Sequence, residues 1–233
     1  MLFNTDLQPY LEKLFEKGYV YFPSVSDCDW RQEVYATCMK EIKTRSYAEN
    51  LPANITFLER TGISKILAPA LAEKSREYFK IACQVDDIYN ICRLVRPGDS
   101  SEGYRGHFDS HLFTLVTPIN IPGNTDSEKI GQLHFFPNAR KMPKNELQNF
   151  SGKLAYKRYN SEKGFKLLSS KTNCISESFQ AYRPLLFLGK TTFHGNSPVS
   201  IDSHFSRMTI LTHFFDPSPR YGVGNIMRLF RRR

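Results

Sequence analysis

A chain of 233 residues, 40% hydrophobic and 13% aromatic, can bury one sizeable core, and its 18 Phe and 12 Tyr favour a β-rich interior. Five cysteines, odd in number and without a CxxC pair, exclude a disulfide framework and a zinc ribbon; they read as reduced thiols in the cytoplasm. A net charge of +9 attracts anionic partners, no apolar run approaches the ~18 residues that span a bilayer, and the first residues resemble no secretion signal.

The chain opens with helical periodicity. Asn4 or Thr5 is expected to cap a first helix with Leu7, Leu11, Leu14 and Phe15 on one side, and Gly18 to end it. Tyr19-Val20-Tyr21-Phe22 reads as a strand closed by Pro23. Asp27-Cys28-Asp29 starts a second helix to about residue 45, turning Trp30, Val34, Tyr35, Met39 and Ile42 towards a core. Residues 47–61, polar and interrupted by Pro52, read as a loop or short hairpin of the kind that lines a substrate pocket. A third helix is expected from Ser64 or Pro69 to Cys83, making residues 1–85 a mostly helical support.

From Asp86 the period becomes two. Ile88, Asn90, Cys92, Leu94 and Arg96 share one face, and Tyr89, Ile91, Arg93 and Val95 share the other, until Pro97-Gly98 closes the strand. Only one of Arg93 and Arg96 can face an interior, and Arg96 is the expected one. Further β segments follow to about residue 220, interrupted by a Lys-rich insertion at 138–166 that reads as a lid or partner surface. The basic and apolar tail, 221–233, is solvated or makes weak peripheral contact with an anionic membrane. With no repeat and no linker, a single domain over 1–233 with a β core at 86–220 is expected.

The chemistry-bearing stretch is Gly103-Tyr104-Arg105-Gly106-His107-Phe108-Asp109-Ser110-His111. On an extended segment His107 and Asp109, two apart, project from one face. His194, in Thr192-Phe193-His194-Gly195-Asn196, offers a third ligand. Two imidazoles and one carboxylate with positions left open form the facial triad of non-haem Fe(II) oxygenases. Arg207 follows thirteen residues after His194, and Thr209 can share its strand face. A guanidinium grips a carboxylate with two parallel hydrogen bonds, an arrangement suited to the far carboxylate of 2-oxoglutarate.

Several segments, in order, resemble the Fe(II)/2-oxoglutarate-dependent oxygenases, in their prolyl-hydroxylase-like and phytanoyl-CoA-hydroxylase-like branches. Arg96-Pro97-Gly98, Gly103-Tyr104 and His107-Phe108-Asp109 resemble the approach to the iron site. Residues 113–120, Gly131-Gln132-Leu133-His134-Phe135-Phe136-Pro137, 186–194 with Ser197-Pro198-Val199-Ser200, and 207–216 resemble the later core strands. The resemblance implies a mainly β, double-stranded β-helix (jelly roll) with supporting N-terminal helices. It implies Fe(II) on His107, Asp109 and His194, and 2-oxoglutarate on Arg207 and Thr209. Ascorbate is an optional addition. Arg96 stands where such proteins often carry a tyrosine, so Arg96 and Tyr104 are candidates for contact with cosubstrate or substrate. The implied reaction is hydroxylation of an unactivated C–H bond, with 2-oxoglutarate and O2 consumed. The substrate is left open among a small metabolite, a peptidyl residue and an anionic sugar or lipid-linked glycan. Alternatives are a cupin-type metalloenzyme without 2-oxoglutarate and a non-catalytic binding protein of the same fold.

The remaining polar residues narrow the field. His107 and His111 have HxxxH spacing, but Phe108 stands where a zinc hydrolase needs glutamate. Asp109 argues against a halogenase, which vacates that ligand position. His213 occupies the place of the second arginine in AlkB-type nucleic-acid demethylases, so nucleic acid is not the expected partner. His134, His204 and His213 are expected to be structural, and Asn196 to support the site by hydrogen bonding.

Overall fold

The computed structural model describes residues 6–42, 46–49, 52–99, 103–122, 130–202 and 206–217. The expected caps Asn4 and Thr5, the expected structural His204, and the basic tail 221–233 lie outside the described residues.

Helix α1, Gln8–Lys17, starts with Asp6 accepting from the Gln8 N–H at 2.9 Å. It ends at Gly18, whose φ of 84° is left-handed and whose N–H donates to the Leu14 carbonyl. Strand β1, Tyr19–Tyr21, follows at once. Helix α2, Asp29–Ile42, buries Trp30, Val34, Cys38 and Ile42; Met39, expected inside, is instead exposed. Residues 47–61 are not a loop: strand β2, Tyr47–Glu49, precedes helix α3, Pro52–Thr61. Pro52 is the first helical residue, where its missing N–H costs nothing, so it starts this helix instead of breaking it. Phe57 of α3 then packs edge-on against Trp30, centroids 5.3 Å apart. A π-helical turn, Ile63–Leu67, leads into α4, Ala68–Phe79, which stops at left-handed Lys80, short of the expected Cys83.

Two antiparallel sheets carry the rest. The large sheet has the order β1-β7-β4-β9-β3-β2, with β3 at Ile88–Val95, β4 at Phe113–Asn120, β7 at Leu185–Leu188 and β9 at Arg207–Phe214. The small sheet has the order β6-β5-β8, with β5 at Leu133–Phe136, β6 at Ile175–Glu177 and β8 at Phe193–Asn196. The segment read as one strand from 186 to 194 is therefore two. It turns at 189–191 and passes from one sheet to the other.

Strand alternation sorts the residues into layers. Cys92, Leu94, Phe113, Leu115, Met208, Ile210 and Phe214 leave the large sheet on one side and pack on Leu14, Val34, Phe57 and Leu71 of the helices. Val116, Leu185 and Phe187 leave it on the other side and meet Leu133 and Phe135 of the small sheet. Behind the small sheet, Phe108, Phe136, Phe165 and Phe193 form a third cluster. Each buried Phe or Leu contributes roughly 1.5–3 kcal/mol of apolar transfer. The Lys-rich insertion is helical: α5, Glu146–Tyr156, a 3-10 turn, Lys157–Tyr159, and α6, Glu162–Ser169, the helices capped by Asn145 and Ser161. All five cysteines are free thiols.

Candidate metal centre

The loop bearing His107 and Asp109 is not a continuous strand but is pinned like one. His107 and His194 exchange backbone hydrogen bonds, 2.9 Å from the His107 N–H and 3.0 Å from the His194 N–H. Tyr104 donates from its N–H to the Asn196 carbonyl at 2.6 Å, and Asp109 to the Gly189 carbonyl at 3.0 Å. This close approach needs glycine: a Cβ on Gly106 would lie 2.1 Å from the Phe193 ring, and one on Gly195 2.8 Å from the Phe165 ring. Alternation then turns Phe108 and Phe193 outward into the third cluster, and His107, Asp109 and His194 inward, between the sheets.

The ligand atoms of His107, Asp109 and His194 lie within 4.8 Å of one another. Asp109 Oδ1 is 3.5 Å from His107 Nε2, and its Oδ2 is 3.7 Å from His194 Nε2. His107 Nδ1 stands 3.1 Å from the Arg105 carbonyl and His194 Nδ1 3.2 Å from the Thr192 carbonyl. A carbonyl only accepts, so each Nδ1 carries a proton, and in a neutral ring that leaves the Nε2 lone pair facing Asp109. That is the donor set and tautomer a divalent transition metal requires. Burial pushes His194 down to about 4, against the attraction of Asp109, so the imidazole is neutral near pH 7. Burial also pushes the Asp109 carboxyl up, but the neighbouring His194, His213 and His107 outweigh it and hold it well below the usual carboxylate range. Access is one-sided: the His107 side chain is 52% exposed, against 9% for His194 and 7% for Asp109.

Two residues support the carboxylate: Thr114, which no sequence signal marks, and His213, expected to be structural. The Thr114 hydroxyl donates to Asp109 Oδ2 at 2.5 Å, and His213 Nδ1 lies 3.0 Å from the same hydroxyl. Thr114, on β4, and His213, on β9, are register partners. No spacing rule links Asp109 to Thr114; the pair becomes visible only once β4 and β9 are aligned.

On β9, Arg207 and Thr209 share the inner face and are 2% and 1% exposed. Arg207 donates from Nη1 to the Gly131 carbonyl and from Nη2 to Asn196 Oδ1, the latter at 2.8 Å. Asn196 is two residues after His194 and on the same strand face, so the guanidinium is tied to the strand that carries the candidate ligand. Among the described residues no carboxylate pairs with Arg207, and its buried Nε has no hydrogen-bond partner. Burial, then the charge of Arg93, pulls its pKa down to about 9, leaving it cationic at neutral pH.

Arg93 and Arg96 exchange their expected places. Arg93 is the register partner of Thr209 and shares the inner face. Arg96 lies one residue past β3, at the turn. Tyr104 is likewise not brought into the space between the sheets. Its backbone is left-handed, with φ of 54°, and its ring stacks on His134 and meets Phe165 in the cluster behind the small sheet.

Comparison of the sequence with protein-family models gives no match, and comparison with curated proteins gives none. Solved structures do match. A Pseudomonas putida prolyl-4-hydroxylase aligns over 90% of this chain and 98% of its own, at 13% identity and TM-score 0.54. The non-heme alpha ketoglutarate dependent epimerase SnoN from nogalamycin biosynthesis aligns over 94% and 87%, at 12% identity and TM-score 0.58. A Trichoplax adhaerens prolyl hydroxylase, in complex with a hypoxia inducible factor peptide fragment, aligns over 90% and 88%, at 14% identity and TM-score 0.54. The chain has the double-stranded β-helix fold of the Fe(II)/2-oxoglutarate oxygenases, with helices supporting the larger sheet.

Proposed function

We propose that this chain is an Fe(II)- and 2-oxoglutarate-dependent oxygenase that hydroxylates an unactivated C–H bond. The observation that carries the reading is one juxtaposition. Two imidazoles and a carboxylate converge within 4.8 Å, and a buried guanidinium without a carboxylate partner among the described residues is hydrogen-bonded to Asn196, two residues after His194. In this reading His107, Asp109 and His194 hold the metal, and Arg207, with Thr209, holds the far carboxylate of 2-oxoglutarate. When bound, iron and 2-oxoglutarate together supply oxygen activation, driven by decarboxylation of the cosubstrate to succinate.

The residues of the chain do the rest. The backbone bridge between His107 and His194 holds both rings before any ligand arrives. The Thr114 hydroxyl fixes the Asp109 carboxylate in one orientation. Phe187, its ring centroid 4.8 Å from that of His194, lines the buried side of the site. The exposed flank of His107 leaves the approach for substrate on the opposite side. The substrate class extends over small metabolites, peptidyl residues and anionic sugars or lipid-linked glycans. The solved neighbours include both hydroxylases and an epimerase, so the product has to be identified directly. Cysteine usage supports a cytoplasmic location, and no described helix is long and apolar enough to cross a membrane.

The test is succinate release from the purified protein with Fe(II), 2-oxoglutarate and O2, with and without metabolite extracts. Iron-dependent 2-oxoglutarate turnover, abolished in His107→Ala, is expected. Iron binding without any 2-oxoglutarate turnover would favour a cupin-type enzyme, and binding of neither would leave only the fold.

A further inference from the structure

Helix α5 is amphipathic the wrong way round for a helix that packs on a domain. Its polar and small side faces the protein. Arg140 reaches the Asn149 carbonyl and Oδ1, and a Cβ on Gly152 would meet Arg140. Lys153 reaches Ser110 Oγ, and Tyr156 packs on Phe108. Its apolar side faces out: Leu147, Phe150 and Leu154 are 77%, 57% and 59% exposed. At spacings of three and four residues they form one stripe. Leu167 of α6, just past the end of the 138–166 insertion, is a fourth exposed apolar residue.

Charge concentrates in the same place. Residues 138–171 hold nine Lys or Arg and two Glu, so most of the chain's net +9 lies in this segment. Lys141, Lys144, Lys157, Arg158, Lys163 and Lys171 are all exposed. A second copy of this surface would be repelled by its own charge. Nucleic acid would satisfy the cations but leave the leucines and phenylalanine in water. An anionic bilayer surface satisfies both, since acyl chains take the stripe and headgroups take the cations.

We propose that α5 is a membrane-docking helix, which seats the domain on anionic phospholipid with Leu147, Phe150 and Leu154 in the acyl boundary and the surrounding Lys and Arg at the headgroups. Docking does not depend on the catalytic reading. If both hold, Lys153 and Tyr156 tie the docked helix to Ser110 and Phe108, the neighbours of Asp109, so a lipid-borne substrate would be presented at the metal loop.

The experiment is sedimentation of the full-length protein with phosphatidylcholine vesicles and with phosphatidylcholine–phosphatidylserine vesicles. Binding to the second only is expected, weakened by high salt. The triple substitution Leu147→Ser, Phe150→Ser, Leu154→Ser should lower partitioning at least about tenfold. Lys157→Gln with Arg158→Gln should lower it roughly 30-fold. These positions are exposed, and an unchanged melting temperature confirms folding. A Phe150→Trp reporter should be quenched by brominated acyl chains. No binding to anionic vesicles, or binding that survives the triple substitution and disappears on removal of residues 221–233, would overturn the proposal. Succinate release measured in parallel separates failure of docking from failure of the oxygenase reading.

Discussion

Thr114 donates its hydroxyl hydrogen to Asp109 Oδ2 at 2.5 Å, from a strand whose neighbour places His213 against the same oxygen atom of the threonine. The carboxylate is thereby held by the large sheet, although it belongs to a loop paired to the small one. Thr114→Val keeps the shape and removes the donor. Fe(II) affinity is expected to fall about tenfold or more, with little change in melting temperature. Metal titration of the two proteins checks this, and equal affinities would remove Thr114 from the site.

Gly106→Ala tests the contact between loop and strand. The added methyl would sit 2.1 Å from the Phe193 ring, inside a packed aromatic cluster. Overpacking of this kind costs about 1–3 kcal/mol. The variant should melt lower and bind Fe(II) more weakly, because the His107–His194 bridge must open. A variant that melts normally but loses metal would show that the strain is absorbed by the loop alone.

Arg207→Met removes a buried cation without a carboxylate partner among the described residues. The KM for 2-oxoglutarate should rise about a hundredfold, with a smaller change in kcat at saturation. 2-Oxoglutarate should raise the melting temperature of the parent protein and not of the variant. Arg93→Met, which removes the second inner-face guanidinium, should raise the same KM less. Equal KM values in all three proteins would move the cosubstrate elsewhere.

Acid should loosen the metal-free protein through the imidazoles. Burial holds His194 at about 4 when folded, and burial holds His213 below the ordinary imidazole value. Unfolded, each has a pKa of about 6.5 and takes up protons more readily. Their contribution is complete above that value and is lost as pH falls from about 6.5 towards 4. Melting temperatures of metal-free protein across this interval should decline. A flat profile would mean that His194 is not buried and neutral.

Much of this was legible from side-chain order. His107 and Asp109 two apart, and Arg207 two before Thr209, need only strand periodicity, and the structure places each set on an inner face. Gly18 ended its helix as its backbone freedom predicts. The misplacements have physical reasons. Pro52 reads as a breaker because nothing local distinguishes a breaker from a first helical residue. Parity separates Arg96 from Arg93 but does not say which face meets helices; Cys92 and Leu94, on the face of Arg96, pack on the helical layer. Tyr104 lies close to His107 in sequence and so reads as a site residue, whereas its left-handed backbone accompanies a ring placed behind the small sheet. Thr114 gains its meaning only from His213 on the neighbouring strand, and the outward stripe of α5 only from the loop residues Phe108, Ser110 and Arg140 that take its other side.

The turn between β7 and β8 sets a length constraint as strict as the identity of any ligand. Residues 189–192 carry the chain across from one sheet to the other, and the parity of the arriving strand decides which side chains look inward. Deleting one residue there would swap His194 with Phe193 or Gly195 and turn the imidazole into the aromatic layer behind the small sheet. Every candidate ligand would still be encoded, yet only two of the three would converge.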